Sequence, residues 1–244
     1  MKRPASLWRS AIVQKAAMAV SGLVLFGFVL GHMAGNLKAF QGPEKLNAYA
    51  EWLREIGAPA VPHGGVLWVA RATLLLAVAV HVAAAIQLTL VNKKARPRGY
   101  KRLQPVQLDY ASRTMRWSGI LILAYVVYHL MHLTWGNVHP DFRPGDVYAN
   151  LVTGLGQWPV AAAYIVANLL LGLHLYHGLW SVFQSLGLDH PVYRGARKPF
   201  AVVFAVVVTV GFLAVPVGVL AGWLEPVPRD VGAPRAELAG GIQP

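Results

Sequence analysis

Residues 18–37 read MAVSGLVLFGFVLGHMAGNL, and residues 115–134 read MRWSGILILAYVVYHLMHLT. Aligning Met18 with Met115 superposes Ser21-Gly22 on Ser118-Gly119 and His32 on His129, each histidine eleven residues after its serine. Each stretch has the length that a membrane helix needs, about 20 predominantly apolar residues. Ionisable side chains are costly deep in lipid and are placed there for a function. One such histidine at one spacing, twice, points to a helical membrane bundle with histidines turned to its interior.

Composition agrees. The 244 residues are 56% hydrophobic and 13% charged, too apolar for a soluble domain of this size. Five windows are long enough to span, near 14–36, 66–91, 116–136, 159–184 and 200–224, and none contains Asp or Glu. The fold class expected is an all-α integral membrane protein of five transmembrane helices, four forming a haem-binding bundle, followed by a flexible tail over 225–244. The chain has no cysteine, which excludes disulfides, thiolate-ligated clusters and thiol nucleophiles.

The net charge of +12 sits in the loops and reports topology rather than nucleic-acid binding. Residues 1–15 carry Lys2, Arg3, Arg9 and Lys15 without an acid. The apolar run that follows is too long for a cleaved signal, so this is read as a retained cytoplasmic end. Residues 92–116 form the most basic loop, 137–158 a more acidic one, and 185–199 is basic again. The positive-inside rule then puts the N-terminus inside and the C-terminus outside, as five spans require. Pro159 and Pro199 are expected in first helical turns, and Pro216 as a kink in the fifth helix.

Of nine histidines, His63, His139 and His190 fall in loops or at membrane edges, where solvated or interfacial roles are expected. The other six lie in the first four spans: His32, His81, His129, His132, His174 and His177. Counted from the cytoplasmic end of each span, His81 lies about 10 residues up, His174 about 11, His129 about 14 and His32 about 18, so two levels are separated by roughly 9 Å. Two opposed imidazoles at one depth suit a metal held axially from both sides, as haem iron is. Zinc would want further ligands close by. His132 and His177, three residues beyond His129 and His174, are the alternative ligands, or candidates to bond a propionate, a quinone or a backbone carbonyl.

Small residues fall where a porphyrin needs space. Ser21 and Ser118 share the faces of His32 and His129, three turns away, near the inner level. Ala70 and Ala163 precede His81 and His174 by eleven residues, and Ala85 and Gly178 follow them by four. The plainer reading is close helix packing; the recurrence in both helix pairs favours haem clearance. Arg71, near the outer end of its span, either snorkels or meets a propionate of the outer haem.

These motifs, SGLVLFGFVLGHMAGNL, VAVHVAAAIQL, RTMRWSGILILAYVVYHLMHLT and LHLYHGLWS, resemble the cytochrome b membrane anchor of succinate:quinone oxidoreductases, in the form with one large anchor subunit and two haems b. The resemblance covers about residues 10–224. It implies His81 and His174 as ligands of an inner haem and His32 and His129 as ligands of an outer one. His174 is selected because the family's fourth-helix ligand precedes Gly-Leu-Trp, here Gly178-Leu179-Trp180, by four residues. Some fumarate reductases of the family carry a glutamate two residues before that ligand; here the position is Gly172. The resemblance further implies a flavoprotein and an iron–sulfur subunit docked on the cytoplasmic side, with loop 92–116 as a docking surface. It implies succinate oxidation and reduction of a quinone, expected to be menaquinone, in the bacterial cytoplasmic membrane. The main quinone site is expected near the outer haem, with Asn36, Glu51, His132 and Trp135 as candidates. Trp117 and Arg113 are candidates for an inner site. Two other readings are the haem subunit of another respiratory enzyme, such as a hydrogenase or formate dehydrogenase, and a haem-free anchor or small transporter.

Overall fold

The computed structural model describes residues 10–94, 110–188 and 190–228. The retained basic end, most of the basic loop 92–116, the Arg113 side chain and most of the tail 225–244 lie outside the described residues. Among the described residues seven α-helices follow in order: α1 (Ala11–Asn36), α2 (Pro43–Glu55), α3 (Gly65–Lys94), α4 (Tyr110–His129), α5 (Val147–Leu155), α6 (Trp158–Ser185) and α7 (Pro191–Leu220). All of them except α2 and α5 are long and apolar enough to cross a membrane, with spans Ala11–Gln41, Gly65–Lys94, Met115–Thr134, Trp158–Ser185 and Gly195–Leu220.

Local chemistry sets the ends. A tight 3-10 turn, Leu37–Gln41, extends α1 until Gly42 takes φ 95°, a conformation that costs glycine little. Pro43 then opens α2. Asp146 caps α5 by accepting from Ala149 N–H at 3.0 Å, the bond that satisfies an otherwise orphaned first-turn donor. Pro159 stands in the first turn of α6, as expected. Pro199 does not stand in a first turn: α7 begins at Pro191, capped by the His190 ring accepting from Val192 N–H, so Pro199 and Pro216 are both interior. Residue 191 is itself a proline preceded by a capping side chain, and it takes the helix start that the sequence reading gave to Pro199.

Helix α4 ends differently from the rest. It runs into a π-helical segment, Leu130–Thr134, whose last bond is Trp135 N–H to Leu130 O at 2.9 Å. A π-helical turn holds an extra residue and occurs mostly at functional sites.

The long helices associate as pairs. Helix α1 packs along α3, and α4 packs along α6. Helix α7 lies against α6 and, less extensively, against α1. Among the described residues, no extensive packing joins α1 or α3 to α4, nor α3 to α6; only a limited α1–α6 contact closes the space between the pairs. At one end α2 and α5 pack together as a cap. Asn47 of α2 clamps it, donating to Asp146 Oδ1 at 2.9 Å and accepting from Tyr148 N–H at 3.0 Å. The largest buried cluster lies at this capped end, around Leu46, Tyr148, Val152, Leu155, Tyr164 and Val219. Elsewhere the spans present apolar side chains outward, among them Leu75, Trp68 and Val203, the surface that lipid would cover.

Candidate metal centres

Two histidine pairs face each other across the space between the helix pairs. Away from the cap, His81 of α3 and His174 of α6 have ring centres 6.3 Å apart. Nearer the cap, His32 of α1 and His129 of α4 have ring centres 5.8 Å apart. Each pair therefore joins helices that do not otherwise pack together.

The first pair is held by the Ser-Gly steps of the internal repeat. His81 Nδ1 lies 3.2 Å from Met18 O and 3.3 Å from Ser21 Oγ. The Ser21 hydroxyl donates to Ala17 O at 2.7 Å, which leaves its oxygen free to accept from the ring. A Cβ added at Gly22 would lie 3.4 Å from His81 Cε1, and one at Gly119 would lie 3.8 Å from His174 Cε1. Ser21 thus touches the ring and does more than leave room. Ser118 is buried and bonds Met115 O at 3.1 Å. His174 Nδ1 is buried without a hydrogen-bond partner among the described residues. His177 meets the Trp180 ring edge-on, with ring centres 5.3 Å apart.

The second pair sits in a cluster of aromatic rings. His32 stacks on Phe28 and lies near Phe212. His129 Nδ1 is 3.3 Å from Tyr164 Oη, and Tyr125 lies beside its ring. His132 is turned elsewhere. It is 0% exposed, lies between Tyr128 and His139 in a stack, and sets Nδ1 2.9 Å from Tyr164 Oη. His139, expected in a solvated or interfacial role, is buried: Asp141 N–H donates to its Nδ1 at 3.0 Å, and its Nε2–H donates to Asn150 O at 2.8 Å. The short helix α5 covers it, and nothing in the local sequence marks that cover. Tyr164 is the residue that sequence reasoning missed at this centre.

The remaining candidates are scattered. Arg71 is exposed and lies over the Trp68 ring at 4.9 Å, as a snorkelling side chain does. Asn36 ends α1, half-buried. Glu51 is exposed, paired with Arg54 at 2.8 Å and near His63 at 3.8 Å. Trp135, like Trp117, is exposed. Burial pushes the Tyr148 phenol, in the cap, above its usual pKa, with Glu225 adding to the effect. It therefore stays neutral and donates to Glu225 O at 3.2 Å.

The paired histidines fit axial ligation of haem. Imidazoles bound through Nε2 to opposite faces of one metal, at bonds of about 2 Å, hold their ring centres about 6 Å apart. At His81 and His129 the Nδ1 atoms are engaged by oxygen, which orients the opposite nitrogen as a ligand. Among the described residues no three His, Asp or Glu side chains converge, as a polyhedral metal site would need. A cavity of about 500 Å³ lies between α4 and α6, lined in part by Tyr125, Tyr128, Ala163, Ala167 and Leu170. The last three precede His174 by eleven, seven and four residues and so share its face. A Cβ added at Gly178 would meet nothing within 4 Å.

Comparison with known proteins is narrow. No curated protein and no solved structure matches the chain. The model of one family, described as succinate dehydrogenase/fumarate reductase transmembrane subunit, matches residues 108–214, less than half of the chain but including His129, His132, His174 and His177.

Proposed function

We propose that this chain is the dihaem cytochrome b anchor of a succinate:quinone oxidoreductase. The single observation that carries the proposal is the two facing imidazole pairs, at two depths, bridging helices that leave a space between them. His81 and His174 would hold the inner haem, and His32 and His129 the outer one. When bound, the two haems supply one-electron carriage from the inner to the outer side. The protein's part is to fix the rings, keep water out and hold the two levels in line. His132 turns toward His139 and Gly154, which supports His129 as the ligand, and it is the His174 ring that faces His81, which supports His174.

The remaining assignments follow from that reading and from charge. The basic loops put the α2–α5 cap outside and the flavoprotein and iron–sulfur partners inside, in a bacterial cytoplasmic membrane. Quinone, taken as menaquinone, is reduced near the cap, where Asn36, Glu51, His132 and Trp135 remain the candidates. Arg71 is the candidate partner of a propionate. The test is a redox difference spectrum with haem counted per complex. Two b-type haems are expected, and a complex purified without a Soret band would end the proposal.

A further inference from the structure

We propose that Tyr164 is the positioning residue of the outer ligand: its hydroxyl takes the Nδ1–H of His129, passes a hydrogen bond on to His132, and so sets the potential of the outer haem. This rests on the dihaem reading above. Tyr164 is buried on α6, and its one hydroxyl lies within reach of two ring nitrogens, His129 Nδ1 at 3.3 Å and His132 Nδ1 at 2.9 Å. A phenol carries one proton, so it can donate to only one of the two rings.

Ligation decides which. A neutral His129 bound through Nε2 carries its proton on Nδ1 and donates to Tyr164 Oη. The phenol proton must then go to His132 Nδ1. His132 in turn carries its proton on Nε2, an atom that is buried with no hydrogen-bond partner among the described residues. That atom faces Gly154, where an added Cβ would lie 2.7 Å away. His139 cannot relieve it, because its own Nδ1 accepts from Asp141 N–H and its Nε2–H is given to Asn150 O. Every direction in the chain is thereby fixed. A hydroxyl that donates is also the better acceptor. The bond from His129 therefore gains strength, the imidazole becomes more electron-rich, and the oxidised iron is favoured. The inner ligand is held differently: His81 Nδ1 faces Met18 O and Ser21, whose hydroxyl passes its proton to Ala17 O, so neither a phenol nor a second imidazole takes part.

The experiment is a redox titration of the purified complex, with the low-spin ferric EPR signal of each haem followed in Tyr164→Phe and His132→Phe. Tyr164→Phe should keep both haems, raise the midpoint potential of the outer one, change its EPR signal and leave the inner haem as it was. His132→Phe should keep both haems and move the outer potential the same way, by less. If Tyr164→Phe fails to assemble, His132→Phe decides alone. An unshifted outer haem, an equal shift of both haems, or loss of a haem in His132→Phe would overturn the proposal. Absence of haem from the unaltered complex is a different result and would overturn the dihaem reading instead.

Discussion

A histidine ring inside a membrane helix serves as a ligand when one nitrogen is held and the other is left for the metal. His81 and His129 meet that condition through Met18 O with Ser21, and through Tyr164, respectively. Replacing His81 or His174 by leucine should remove one haem. Replacing His32 or His129 should remove the other. Pyridine haemochrome assay of each purified variant reads the ratio, and four variants that all keep two haems would contradict the pairing. The facing of His32 with His129 was legible in the internal repeat and that of His81 with His174 in their depth, with the family resemblance choosing His174 over His177. His139 and Tyr164 were not legible. A loop histidine reads as solvated until α5 is seen to cover it, and a tyrosine in an apolar run reads as packing.

The elements explain why His132 and His129 part company. On a regular α-helix, residues three apart share a face, so the sequence left both as ligands for one site. The π-helical segment Leu130–Thr134 turns less per residue, and it carries His132 round toward α5 and α6. No residue in LMHLT announces such a segment. The start of α7 was misread for a related reason, since two prolines competed for one helix start. Three predictions belong at this scale. Ala163→Phe should fill the cavity between α4 and α6 and cost the outer haem while sparing the inner, as the same haem assay reads. Asn47→Ala should leave the Tyr148 N–H without its acceptor and lower stability by about 1–3 kcal/mol, seen as a lower melting temperature of the detergent-solubilised complex. Gly172→Glu should prevent assembly, because Gly172 is buried and any side chain there runs into Thr209 of α7; normal yield of that variant would contradict the packing. That close approach leaves no room for the glutamate that some fumarate reductases of the resembled family carry at this position.

Across the whole molecule, the proposed dihaem reading would give electrons a route from one membrane face to the other through two levels of ligand. Among the described residues no Asp or Glu lies in a spanning segment, so the bundle offers no carboxylate path for protons to offset that charge. With succinate oxidised inside and quinone reduced outside, each electron pair carries two charges outward. At roughly 150 mV that is worth about 7 kcal/mol, a drive that lets a low-potential quinone accept electrons from succinate. In sealed vesicles an uncoupler should slow succinate-to-menaquinone electron flow, and flow that is unchanged or faster, with no charge moved, would contradict electrogenic turnover.

Everything above depends on two haems held by two histidine pairs. The most direct test is the dithionite-reduced minus oxidised spectrum of the purified complex, with haem counted per copy of this chain. The account predicts b-type absorbance from two low-spin haems per chain, one lost on replacing His174 and the other on replacing His32. A spectrum without haem, or a single haem that survives either replacement, would contradict it.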